Sequence, residues 1–165
     1  MDDPQGLLLP PGAGSAVALG GLGVVFKLVG EDTGGRFALV EHPLAPKTLA
    51  APVHTHSRED EYSYVLDGTV VVQLGDRRLE AAAGAVVGKP RGIPHTFWNP
   101  TDTPARVLEV ISPAGAERYF QEVAGLIPAQ GPPDFAAMDR VADRYGLRMD
   151  RTTTPRLLRE HSLRM

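Results

Sequence analysis

The chain has 165 residues, enough for one domain whose core needs no covalent staples. A formal net charge of −3 gives no electrostatic reason to expect nucleic acid, and the lack of cysteine excludes a disulfide framework or a thiolate metal site. No apolar run is long enough to span a bilayer, and the acidic start Met1-Asp2-Asp3-Pro4 lacks the basic opening of a signal peptide, so a cytoplasmic protein is expected.

Eighteen glycines and fifteen prolines make up a fifth of the chain, against an average near 12%, and so many turn formers predict many short strands. Residues 1–20 are rich in Gly, Pro and Ala without a clear period and read as an N-terminal arm. Strands are predicted over residues 23–29 and 37–41, separated by the turn residues Gly34-Gly35. Residues 49–56 read as extended, with an edge or bend at Pro52. Residues 61–66 form a strong strand. Asp67-Gly68 reads as the best hairpin turn of the sequence, with residues 70–74 returning from it. Further strands are predicted over 77–81, 85–88, 95–98 and 107–111. Short strands punctuated by turns predict an all-β fold, a closed barrel or a sandwich.

After Pro113 the period changes. Tyr119, Phe120, Val123 and Leu126 are helically spaced, as are Phe135, Met138, Val141, Ala142 and Tyr145 between a Pro132-Pro133-Asp134 start and a Gly146 stop. Two short C-terminal helices are therefore expected. Residues 151–165, with four arginines and one glutamate, read as a frayed basic tail. The expected division is an arm over 1–20, a barrel over 21–125, a helical segment over 126–150 and the tail.

The chemistry gathers on four residues. His54 and His56 are two apart, so a strand points both to one face. Glu61 opens the next strand and His95 a later one, and a barrel interior lets such strands converge. Three imidazoles and a carboxylate suit one divalent ion, with Fe, Mn, Ni, Cu, Co and Zn all compatible, and leave a coordination position open. Alternation puts Ser63 and Val65 on the face of Glu61 and Phe97 and Asn99 on that of His95, so Ser63, Val65 and Phe97 are candidate pocket residues. Asn99 is expected to close a turn, and Gly92 and Pro94 to shape the turn presenting His95. Tyr62, Tyr64 and Trp98 face the other way and are expected against a second sheet or a partner subunit. Glu41 and Glu109 sit inside apolar strands, where either could serve as a partner to a ligand or as a general base; an outward, solvated position is the expected one, and His42 and His161 are expected on the surface.

Residues 54–68, HTHSREDEYSYVLDG, and 84–99, GAVVGKPRGIPHTFWN, resemble the two cupin motifs H-x-H-x(3,4)-E-x6-G and G-x5-P-x-G-x2-H-x3-N. His54, His56, Glu61, Gly68, Gly84, Pro90, Gly92, His95 and Asn99 all match. Thr48, Ala85 and Ser63 depart from residues usual in the family, and none of them is a ligand position. The likeness covers residues 20–125. The segment PAGAERYF (113–120) and the helices after it are similar to small bacterial single-domain cupins of the quercetin-dioxygenase-like kind. The resemblance implies a double-stranded β-helix (jelly roll) and one metal ion held by His54, His56, Glu61 and His95. It further implies a metal-dependent oxidoreductase, dioxygenase-like, acting on a small organic molecule, with Glu61 both ligand and catalytic base. A metal-dependent isomerase or lyase, or a non-enzymatic ligand-binding cupin, are the alternatives. The expected partners are that small molecule and a second copy in a homodimer. Nucleic acid and membrane are not expected.

Overall fold

The computed structural model describes residues 6–128 and 130–165. Eleven strands form among them: β1 (Ser15–Leu19), β2 (Leu22–Leu28), β3 (Ala38–Leu44), β4 (Val53–His56), β5 (Asp60–Asp67), β6 (Thr69–Leu74), β7 (Arg77–Ala82), β8 (Val86–Lys89), β9 (His95–Trp98), β10 (Ala105–Ser112) and β11 (Leu147–Asp150). Four short helices join them: α1 (Gly30–Thr33), α2 (Glu117–Ala124), α3 (Phe135–Arg144) and α4 (Thr154–His161). The strands make two antiparallel sheets, in the orders β1-β2-β3-β10-β5-β8 and β11-β4-β9-β6-β7. This is the predicted all-β jelly roll.

Alternation builds the core. In β2, Leu22, Val24 and Phe26 are buried; in β3, Ala38, Val40, His42 and Leu44; in β10, Ala105, Val107, Glu109 and Ile111. Each set occupies every second position of its strand, so one face of the six-stranded sheet meets the other sheet and the intervening residues face outward. Tyr62 (46% exposed) and Tyr64 lie on that outer face, with no second sheet over them.

Asp67-Gly68 makes no hairpin. β5 pairs with β10 and β8, whereas β6 pairs with β7 and β9, so the chain crosses there from one sheet to the other. Gly68 has φ +74°, and a Cβ on it would meet Ala105 Cβ and the Pro104 carbonyl at 3.0 Å, so both backbone and space call for glycine. The true hairpin is β6–β7, turning at Gly75-Asp76 with Leu74 opposite Arg77.

The chain ends depart from expectation. The region read as an arm contains β1, which pairs with β2 along its whole length. The segment expected to be helical adds β11 to the edge of β4 after α3, whose Asp134 cap accepts from the Ala137 amide at 2.9 Å. The region read as a frayed tail forms α4. Its Leu157 is wholly buried against Trp98, Leu49 and Val53. The His161 ring stacks on Trp98 at 4.8 Å, and Arg164 closes an isolated bridge with Thr48. All four residues of β9 are buried: His95 and Phe97 inward, Trp98 beneath α4, and Thr96 with its hydroxyl donating to the Ala51 carbonyl at 2.6 Å. Trp98 packs on this helix, not on a second sheet, because Leu157 and Leu158 offer the apolar cover.

His42 is also corrected: it is 2% exposed, and its Nδ1–H donates to the Gly23 carbonyl at 3.1 Å. Burial drives its pKa down to about 4, against the opposing pull of that hydrogen bond.

Two outcomes follow. Leu157→Ala lowers unfolding stability by about 2–5 kcal/mol in urea titration, the range of buried Leu→Ala changes; a frayed tail gives a change near zero. His42 is protonated near pH 6.5 when unfolded and near 4 when folded, so its contribution is intact above 6.5 and lost as pH falls toward 4. Between pH 7 and 4 the stability advantage of the parent over His42→Gln shrinks by about 3 kcal/mol in chelator-treated protein.

Candidate metal centre

The five-stranded sheet supplies three histidines. His54 and His56 project from one face of β4, their ring centroids 5.2 Å apart. The β4–β9 pairing places His95 directly opposite His54, with centroids 4.5 Å apart. Glu61 reaches in from β5 of the facing sheet. The four donor atoms all lie within 4.8 Å of one another. His56, Glu61 and His95 are buried and His54 half-buried.

Each imidazole is held through its other nitrogen. His54 Nδ1 meets the Pro52 carbonyl at 2.9 Å and His95 Nδ1 the Ile93 carbonyl at 3.0 Å. His56 Nδ1 meets Glu59 Oε2 at 3.3 Å. The turn before β9 is set by Gly92 (φ +76°), whose N–H donates to the His56 carbonyl at 2.8 Å. Burial lowers the pKa of His54 well below its usual value and that of His95 below it, so both rings are neutral and carry one proton each. Carbonyls only accept, which puts those protons on Nδ1. The Nε2 lone pairs then face the site.

There a conflict of acceptors arises. His95 Nε2 stands 3.0 Å from Glu61 Oε2, whereas His56 faces a carboxylate through each nitrogen, Glu59 and Glu61 both at 3.3 Å. Neutral imidazole nitrogen and carboxylate oxygen repel at that range unless a positive centre joins them. Moving the proton of His95 to Nε2 only transfers the clash to the Ile93 carbonyl. The donor set therefore fits a divalent cation, with the second nitrogen of every ring already oriented.

Sequence reasoning missed a neighbour. Lys89 pairs with Glu61 in the β5–β8 register, is 2% exposed, and places Nζ 3.0 Å from Glu61 Oε2 and 2.9 Å from Glu109 Oε2. Burial opposes its charge, but Glu109 and Glu61 together raise its pKa above the usual lysine value. Burial likewise pushes Glu61 upward, yet the charges around it, Lys89 foremost, outweigh it and hold the carboxylate well below its usual range. One ammonium cannot neutralise two buried carboxylates, and Glu109 bears the difference: burial lifts it to about 7 despite Lys89. Glu109 was expected to point outward. It lies 1% exposed on the inner face of β10 and accepts from Ser63 Oγ at 2.9 Å. A lysine at an inward position of a strand was the available signal. Glu41, by contrast, pairs near the surface with Lys27 at 3.2 Å and Arg106 at 3.1 Å.

Above this floor opens a cavity of about 390 Å³ between the barrel and the C-terminal elements. Phe97 lines it, as expected. Ser63 and Val65 are not among its lining residues: Ser63 is turned to Glu109, and Val65 is fully buried in the barrel core. The upper walls are apolar, with Phe120 and Val123 from α2, Met138 from α3, and Leu147 and Met149 from β11. His42 and Lys89 also reach the cavity. Asn99 closes a turn as predicted, its amide donating to the Thr103 carbonyl at 2.7 Å and its oxygen accepting from the Thr101 N–H at 2.9 Å.

The family model described as a cupin domain matches residues 41–111. No protein of curated function matches the chain. A crystal structure of a sugar phosphate isomerase from a cupin superfamily, from Silicibacter pomeroyi, is similar with a TM-score of 0.50 and 26% identity, over 56% of this chain and 59% of that one. KdgF from a Halomonas species gives 0.56 and 16%, over 63% and 92%. An oxalate decarboxylase variant from Bacillus subtilis gives 0.55 and 19%, over 61% and 28%; it and KdgF share the fold alone. The chain matches less than two thirds of the isomerase and of the decarboxylase. No helix among the described residues is long and apolar enough to cross a membrane. Residues 41–111, the stretch that matches the cupin domain model, contain all four converging donors.

Proposed function

We propose that His54, His56, Glu61 and His95 hold one divalent metal ion, and that the chain is a metal-dependent oxidoreductase of dioxygenase-like type acting on a small, mainly apolar organic molecule. The observation that carries the metal assignment is the convergence of four donor atoms within 4.8 Å, with His95 Nε2 held 3.0 Å from Glu61 while the Ile93 carbonyl takes its Nδ1 proton. A bound ion supplies a Lewis-acid position for a substrate oxygen and, when redox-active, a route for electrons to dioxygen.

The chain's own residues do the rest. The Pro52 and Ile93 carbonyls and Glu59 hold the rings in one orientation. Lys89 keeps Glu61 ionised. Phe97 and the apolar upper walls exclude water and accommodate the body of the substrate. That lining favours an organic molecule with few charges over a sugar phosphate or a small dicarboxylate. Lys89, the cation at the cavity floor, is already engaged by Glu61 and Glu109.

A second reading rests on Glu109. A carboxyl with a pKa of about 7 on the cavity wall, hydrogen-bonded to Lys89, is suited to take and return a proton, as an isomerase or lyase requires. Metal content of protein purified without chelator, followed by oxygen uptake with catechols, flavonols and diketones, separates the two. Metal with uptake supports the oxidoreductase, and metal without uptake supports the isomerase or lyase. No metal after reconstitution removes both.

Three variants grade the ligands by metal analysis. His95→Ala loses metal while remaining folded. Glu61→Gln retains more than His54→Ala, since an amide oxygen still coordinates weakly. Glu59→Ala, which frees only the orientation of His56, weakens metal binding by about 10–100-fold. Metal affinity falls as pH drops below about 6, because protons compete for imidazole, and a flat profile contradicts a histidine-rich site.

A further inference from the structure

His42 is a fixed acceptor on the cavity wall; Tyr119, which also lines the cavity and has no side-chain hydrogen bond among the described residues, carries a hydroxyl that both donates and accepts. Lys89 is saturated by Glu61 and Glu109, and Glu109 by Lys89 and Ser63. Arg151, near the opposite end, bonds Asp139 and stacks its guanidinium 5.1 Å from the Phe135 ring centroid, so its charge is already matched. His54, His56 and Glu61 belong to the proposed metal centre. His42 stands two strands from β5 on the inner face of the same sheet, opposite Val107 of β10. Its ring is clamped between Phe120, edge-on at 5.4 Å, and Phe97 at 6.3 Å. The Gly23 carbonyl takes the Nδ1 proton, and Nε2 makes no hydrogen bond among the described residues. It is a fixed, neutral acceptor among aromatic rings and aliphatic walls. Nε2 opens to the cavity, where a ligand that brings a donor can form a hydrogen bond in largely apolar surroundings.

We propose that the cavity takes a mainly apolar molecule carrying a hydroxyl group, and that His42 Nε2 accepts the hydrogen bond of that hydroxyl. His42 is then a specificity-determining residue: it selects, among molecules of similar shape, those with a donor at the right distance from the cavity floor. The inference shares its cavity with the metal reading and rests on it only for the direction in which a bound molecule presents its reactive end.

The test uses three fluorescent probes of matched shape: 2-naphthol, 2-methoxynaphthalene and 2-naphthyl phosphate. Each is titrated into the full chain as purified and again after chelator treatment. Naphthol is expected to bind about three- to tenfold more tightly than its methyl ether, the span of one net hydrogen bond, in both preparations. His42→Leu removes that preference while leaving binding of the ether intact, and His42→Gln, which keeps an acceptor, retains part of it. The readout is a ratio of affinities within one sample, so partial unfolding does not move it. An unchanged ratio in His42→Leu overturns the proposal. So does a preference that disappears with chelator, which assigns the hydroxyl to the metal and leaves the metal reading standing. Tighter binding of naphthyl phosphate than of naphthol also overturns it and points to Arg151, whose Nε is buried without a partner. Absence of metal both as purified and after reconstitution, with the naphthol preference intact, sinks the metal reading alone.

Discussion

One buried ammonium between two carboxylates sets the character of the whole interior. Lys89 extends across β5 from β8 to β10, joining the side chains of three adjacent strands inside a barrel otherwise filled with Val, Leu, Phe and Ala. Such a triad is seldom the most stable filling of a core, since desolvating the charges offsets most of their attraction. Its effect here is directional. It settles which carboxylate is ionised, Glu61 facing the histidines, and which retains a proton near neutrality, Glu109 facing Ser63. A methionine at position 89 would fill much the same volume and leave Glu61 without its counter-charge.

Most of the barrel was legible because period-two alternation survives wherever one face of a sheet is buried. Residues 61–66 and 95–98 were read as strands with the correct alternation of faces, so the four donors could be picked out with no knowledge of the pairing. The failures share a cause: they depend on partners distant in sequence. β1 is five residues, Ser-Ala-Val-Ala-Leu, mostly exposed, that become a strand only by lying along β2. α4 presents two leucines among arginines, too little for a clear helical signature, and its partner Trp98 lies some sixty positions earlier. Asp67-Gly68 has the chemistry of a hairpin, yet pairing of β6 with β9 decides that the chain changes sheets. His42 and Lys89 were hidden for another reason. Residue type alone argues for the surface, and only their parity within buried strands argues against it.

The molecule divides its labour along the chain. The barrel carries the donors and their supports, all between residues 42 and 109. The segments after it, α2, α3 and β11, form the apolar roof of the cavity. The match to the cupin domain model ends at residue 111, so the groups that give this cavity its hydrophobic upper half come largely from outside the matched stretch. Fold likeness to proteins of differing chemistry is what such an arrangement leads one to expect: a common floor with separate ceilings.

Trp98, the only tryptophan of the chain, lies on the outer side of the strand whose inner side begins with His95. It is sealed beneath α4 with an imidazole stacked on the indole. The protein therefore carries its own optical gauge. Emission from this indole is that of an apolar, dry surrounding, dimmed by the ring above it, for as long as the last helix stays seated. Lifting of that helix would brighten and redden the signal with no label attached. Because β9 is one residue thick between the indole and His95, the same colour change is positioned to register disturbance of the metal-facing side.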